Sequence, residues 1–232
     1  MKKLLLLTFL VSALSFAQQK SEIDSKYFLL GTLSDYIGRN QFSDKKDVME
    51  SYAAHEKPLV DKLDDLFSND SLIIEKINSE NFKSTRYNLI SKSINSSVNS
   101  LYNFKFSSLT YPKKDSIFNG KLKDSILKNN SEKVSFLLGC LSRFSVNYGM
   151  KLKRKEFCLQ FANSISKFNL AQKTISELGF TISKVETLKN IPRINRVYFT
   201  VDVSNYKIFK EYSLIGIEIQ NNLLNYFSRS KK

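Results

Sequence analysis

Few side chains in this sequence have the type and spacing to do chemistry, and His55 is the first to weigh. It is the only histidine in 232 residues. A serine–histidine–aspartate relay would have to use it. No Gly-x-Ser-x-Gly turn presents a nucleophile, and Glu56 and Asp61 do not stand at a triad spacing. A zinc site built from His55, Cys140 and Cys158 lacks paired ligand spacings. Asp61, Asp64, Asp65 and Asp70 form an acidic cluster in which Asp61 and Asp65 share a helical face and repel unless a cation intervenes. Their spacing is not the alternating pattern of a calcium loop, so the cluster reads as a solvated face. There is no glycine-rich phosphate loop, dinucleotide fingerprint or Cys-x-x-Cys pair. No catalytic residue, metal ligand or cofactor site is therefore assigned. An enzyme on an unrecognised plan would need a cleft joining His55, the acidic cluster and a cysteine.

Binding chemistry is better represented. The chain carries 36 Lys+Arg against 22 Asp+Glu. Residues 18–112 hold 12 and 13, a net of −1, whereas residues 113–232 hold 22 and 9, a net of +13. The candidate binding residues are Lys151, Lys153, Arg154 and Lys155, with Arg193, Arg196 and Lys207 further on. Such a local field attracts polyanions. From Arg193 to Lys210, basic residues interleave with Tyr198, Tyr206 and Phe209, a composition able to stack on bases or sugars.

The amino terminus decides among polyanions. Lys2 and Lys3 precede an apolar run, Leu4 to Phe16, and Ser15-Phe16-Ala17 places small residues before a cut at Gln18. These are the parts of a secretory signal peptide, 1–17, too short to span a bilayer. The expectation is a periplasmic or secreted product that is not transmembrane after cleavage. Export makes nucleic acid an unlikely partner and leaves an anionic envelope component (lipid headgroup or glycan) or an apolar small molecule. Cys140 and Cys158 then face an oxidising compartment. A helical hairpin turning at Asn147-Tyr148-Gly149-Met150 would bring them level. The alternatives are a disulfide or two buried free thiols.

The elements that must position these residues are organised by a repeat. Phe28-Leu29-Leu30-Gly31-Thr32-Leu33-Ser34 returns as Phe136-Leu137-Leu138-Gly139-Cys140-Leu141-Ser142, six of seven matched at an offset of 108. Ser51-Tyr52-Ala53 corresponds to Gln160-Phe161-Ala162. Apolar spacing predicts helices over about 25–39, 43–67, 81–104, 114–128, 131–148, 154–168, 169–178 and 204–228, with a short one carrying Leu72, Ile73, Ile74 and Ile77. Period-two alternation predicts a β-hairpin at about 180–203. Tyr87-x-Leu89-Ile90-x-x-x-Ile94 also echoes Tyr212-x-Leu214-Ile215-x-x-x-Ile219, at an offset of 125. The hairpin therefore reads as an insertion of 125 − 108 = 17 residues. The fold class expected is mainly α: two related helical bundles, 18–112 and 113–232, with the hairpin inserted in the second. The function expected is an exported, non-catalytic helical binding or interaction protein, or a basic-surface binder of anionic envelope components.

Overall fold

Gly31 and Gly139 meet at the centre of the molecule. Their helices are α1 (Ser25–Thr32) and α4 (Asn130–Phe144). A Cβ on Gly31 would overlap the Phe136 carbonyl oxygen, and one on Gly139 would overlap that of Phe28. Phe28 and Phe136 are themselves 108 apart, so the contact maps onto itself when the helices are exchanged. It is a local two-fold, and glycine is required at both positions because backbone packs on backbone. Asp24 caps α1 by accepting from Tyr27 N at 3.2 Å, and Asn129 caps α4 by accepting from Glu132 N at 3.0 Å.

The computed structural model describes residues 23–42, 47–79, 84–109, 116–146, 155–189 and 191–229. After α1 the chain runs β1 (Arg39–Phe42), β2 (Val48–Ala53), a 3-10 turn (Ala54–Glu56), α2 (Lys57–Leu66), β3 (Ile73–Ser79), β4 (Ser84–Ile90), α3 (Lys92–Asn99), β5 (Tyr102–Leu109) and β6 (Ser116–Leu122). After α4 come β7 (Glu156–Ala162), α5 (Ile165–Glu177), β8 (Thr181–Leu188), β9 (Ile194–Thr200) and α6 (Val203–Arg229). Three antiparallel sheets result, ordered β1-β6-β5, β2-β4-β3 and β7-β9-β8.

This mixed α/β architecture corrects the expectation of two helical bundles. Residues 73–79 and 84–90, expected as helical stripes, pair as a hairpin, and 102–109 pairs with 116–122. Residues 48–53 and 156–162 are strands as well. Pro58 stands in the first turn of α2, where its missing N–H costs nothing. The β8–β9 hairpin is present, yet it is no insertion. It occupies the place that β3–β4 takes in the first half, since β4 and β9 are the central strands of their sheets. The echo between Tyr87 and Tyr212 is a coincidence of apolar spacing, because Tyr87 lies on a strand and Tyr212 on α6.

The offset of 108 continues instead through the packing. Buried Leu59, Val60 and Leu63 of α2 match buried Lys167, Phe168 and Ala171 of α5. Across the sheets, Leu89 matches Val197, and both are fully buried. One continuous apolar core joins α1, α4, the inner faces of β2, β4, β7 and β9, and α6. Around Phe209 of α6, Phe157, Phe180 and Phe199 stand with ring centroids 5.4–6.3 Å away. Among the described residues no helix is long and apolar enough to cross a membrane. The leader expected at 1–17 lies outside the described residues.

Candidate functional site

Each central helix ends in a charged residue that the opposite half neutralises. Asp35 follows α1, and Arg143 takes the equivalent position at the end of α4. Lys167, on α5, is fully buried. Its Nζ donates to the carbonyl oxygens of Leu30 at 3.0 Å, Gly31 at 3.4 Å and Leu33, the bare C-terminal acceptors of α1. Asp35 Oδ2 lies 3.5 Å away. Tyr102 OH donates to both Asp35 oxygens at 3.1 Å. Burial raises the Tyr102 phenol well above its usual value, and the Asp35 charge adds to that, so the proton stays on the donor.

Arg143 has the mirror arrangement with the charges exchanged. Its Nε donates to Glu56 Oε1 at 2.7 Å, its Nη1 to Thr32 O at 2.7 Å, and Glu50 Oε1 is 3.5 Å distant. The guanidinium stands 4.5 Å from the centre of the Tyr52 ring. Burial works against its charge, but Glu50 and Glu56 outweigh that and hold its pKa above the ordinary guanidinium value. These groups act as clamps between halves. Beside them, a cavity of about 260 Å³ is lined by Ser34, Asp35, Arg143, Phe144 and Ser164, among others. Among the described residues no group of three or more His, Cys, Asp or Glu is arranged to hold a metal ion.

A larger cleft, about 550 Å³, opens between β1 and the outer face of β2-β4-β3. Its lining includes Arg39, Asn40 and Gln41 of β1, Glu50 and Ser51 of β2, Arg86 and Asn88 of β4, and Asn95 and Asn99 of α3. Arg39 is fixed in place. Its Nε donates to Asn99 Oδ1 at 2.8 Å and its Nη2 to Met49 O at 3.1 Å and Asn95 Oδ1 at 3.2 Å. Its guanidinium lies 5.7 Å from the centre of the Tyr102 ring. One chain of contacts therefore runs from Lys167 through Asp35, Tyr102 and Arg39 to the amides of α3. Arg86 is exposed at the cleft. Asn88 stands in the row Ser51–Asn88–Glu75 across the sheet.

The binding residues expected from sequence are scattered rather than gathered. Lys151, Lys153 and Arg154 lie outside the described residues, as does the turn expected at 147–150. Lys155 sits 5.4 Å from the Tyr206 ring, next in sequence to exposed Lys207. Arg193 lies past the other end of the β7–β9 ladder, where its backbone N–H donates to Asn163 Oδ1 at 3.0 Å. Six residues of strand, ~20 Å, separate those ends. Arg196 lies on the outer face between them and donates to Gln160 Oε1 at 2.8 Å. Cys140 and Cys158 are both free and buried. Cys140 Sγ points to Gly31 O at 3.6 Å in the helix interface, whereas Cys158 is on β7. Burial pushes both thiols up to about 12. Among the acidic cluster, Asp61 pairs with Lys57 at 2.6 Å on an exposed helix face, away from the cleft lining.

The cleft residues of β4 carry no signal while 81–104 reads as helical, and Lys167 carries none until Asp35 and the end of α1 are placed around it. Once β4 is a strand, the alternation Arg86, Asn88 outward and Tyr87, Leu89 inward is visible in the sequence.

No protein-family model matches the sequence, and no curated protein matches it. Solved structures that align with this chain include homing endonucleases. Mesophilic variants of the homing endonuclease I-DmoI align at a TM-score of 0.48 and 14% identity, over 82% of this chain and 94% of that one. I-DmoI in complex with DNA and calcium aligns at 0.47 and 12%, over 80% and 86%. The homing endonuclease I-WcaI bound to its DNA recognition sequence aligns at 0.41 and 10%, over 83% and 81%.

Proposed function

We propose that this chain binds duplex DNA through the face that carries the cleft between β1 and β2-β4-β3. The observation that carries this reading is the cleft lining, which places the exposed Arg86 beside the amides of Asn40, Gln41 and Asn88. Arginine pairs with the acceptor edge of guanine, and a carboxamide pairs with the donor and acceptor of adenine. The net of +13 over residues 113–232 supplies the sequence-independent attraction that backbone contact needs, from the half beside the cleft, whose own residues 18–112 have a net of −1. The local two-fold between the halves also suits the two-fold of a duplex.

This reading replaces the expectation of an exported, non-catalytic helical binder for which nucleic acid is an unlikely partner. The helical body behind that expectation gives way to three sheets, and the similar solved structures are homing endonucleases, two of those named above bound to DNA. The anionic envelope component and the apolar small molecule go with it.

The test is fluorescence anisotropy of a labelled duplex titrated with the full chain between about 50 and 200 mM salt. Binding that weakens steeply as salt rises is the expected result. Absence of binding at the lowest salt, or affinity indifferent to salt, rules the reading out.

A further inference from the structure

We propose that the chain reads duplex DNA from one side only. The half-site facing β1, β2 and β4 is discriminated at base edges, and the half-site facing β7, β8 and β9 is held without discrimination. The inference rests on the DNA-binding reading above and adds where sequence information enters. Its ground is a comparison of equivalent rows on the two outer faces.

In the second sheet the central row is Gln160–Arg196–Glu186. Arg196 Nε donates to Gln160 Oε1 at 2.8 Å, and its Nη1 lies 3.9 Å from Glu186 Oε2. Tyr198 OH donates to Glu186 Oε2 at 2.8 Å, and Lys184 pairs with Glu186 as well. The strong donors of this face are committed to its own carboxylate and amide. A base edge would have to displace contacts already made, which removes the net gain of pairing.

In the first sheet the equivalent row is Ser51–Asn88–Glu75, with Asn88 in the position of Arg196 at the 108-residue offset. Arg86 and Asn88 line the cleft together with Asn40 and Gln41. Among the described residues no hydrogen bond or ion pair engages the side chain of Arg86 or Asn88. Donors and acceptors here are set on a strand-backed face, where geometry is held by the sheet rather than by a loop. The duplex is B-form DNA on this account, because its major groove admits a β-ribbon while that of A-form RNA is too deep and narrow for side chains to read.

The experiment is selection of randomised DNA duplexes by the full chain, followed by sequencing, with Asn88→Ala, Arg86→Gln and Arg196→Ala run in parallel. Folding of each variant is checked by circular dichroism, and Arg86→Gln, on an exposed side chain, serves if Asn88→Ala fails to fold. Enriched duplexes should carry base preference on one side of their centre. The β4 variants should flatten that side, losing discrimination by about tenfold or more at the affected pair. Arg196→Ala should leave the preference unchanged. Preference spread equally over both sides, or lost with Arg196→Ala, overturns the proposal. Binding with no enrichment overturns it while leaving the DNA-binding reading in place. Failure to bind any DNA duplex, or selective binding of an RNA duplex, overturns both.

Discussion

The two halves place the same architecture under opposite chemistry. Sheets β2-β4-β3 and β7-β9-β8 share strand order, and α1 meets α4 through glycines that exchange places under the local two-fold. Yet the helix ends carry Asp35 in one half and Arg143 in the other, and Leu59 of α2 is answered by Lys167 of α5. Outer faces differ likewise: an amide and arginine cleft on the first sheet, a closed ionic network on the second. Gly31, Gly139 and the apolar positions around them build the body. Asp35, Arg143 and Lys167 tie the halves together, and the rows around Asn88 and Arg196 face outward.

The largest expected effect tests the exchanged charges. Asp35→Leu strands the Lys167 ammonium in a fully buried site and should cost about 3–5 kcal/mol of stability. The double variant Asp35→Leu/Lys167→Met should recover most of that, because hydrophobic replacement of both partners of a buried pair is close to neutral. Urea denaturation of the single and double variants gives the answer. A double variant no better than the single would mean that Lys167 serves chiefly as the cap of α1.

Gly31→Ala and Gly139→Ala come next. Each forces two backbones apart and should destabilise by about 1–3 kcal/mol, with the two costs alike because the contact is reciprocal. Thermal denaturation that found one tolerated and the other not would break the two-fold description.

Binding separates the outer faces. Asn88→Ala should weaken binding of a selected duplex by about 1–3 kcal/mol, and Arg196→Ala should change it little. Anisotropy titrations at fixed salt make the comparison.

The smallest effect concerns the thiols. Cys140 and Cys158 rise from an ordinary 9.0 to about 12, with burial as the main cause. Unfolded chains lose these protons first, so the contribution is complete below about pH 9 and disappears as pH rises toward 12. Native protein should resist alkylation at neutral pH, and urea midpoints should fall only on the alkaline side. Ready alkylation of folded protein would contradict the packing around Gly31 and β7.

How much of this was legible in the sequence follows from where periodicities overlap. The Phe-Leu-Leu-Gly repeat disclosed both central helices, and the alternation of Val197 and Phe199 disclosed β9. Tyr102, Phe104 and Phe106 alternate as clearly on β5, as do Phe157, Leu159 and Phe161 on β7. Those strands were hidden because neighbouring apolar residues, such as Ile94, Val98 and Leu101 or Cys158 and Ile165, complete a helical spacing across the true boundary. Short strands framed by short helices invite that error, and it cost the site as well. Asn88 and Arg86 mean little on a helix and define a face on a strand. Lys167 was invisible for another reason, since nothing local distinguishes a buried lysine from a solvated one until Asp35 and the end of α1 are placed around it.

The most direct test of the central claim, that the chain meets the duplex through its first sheet, is amide hydrogen exchange with and without DNA. Protection on adding a duplex is expected over residues 39–41, 48–53 and 86–90, whether or not 156–162 and 194–200 are protected as well. Protection confined to 156–162 and 194–200, or none in either sheet at saturating duplex, would contradict it.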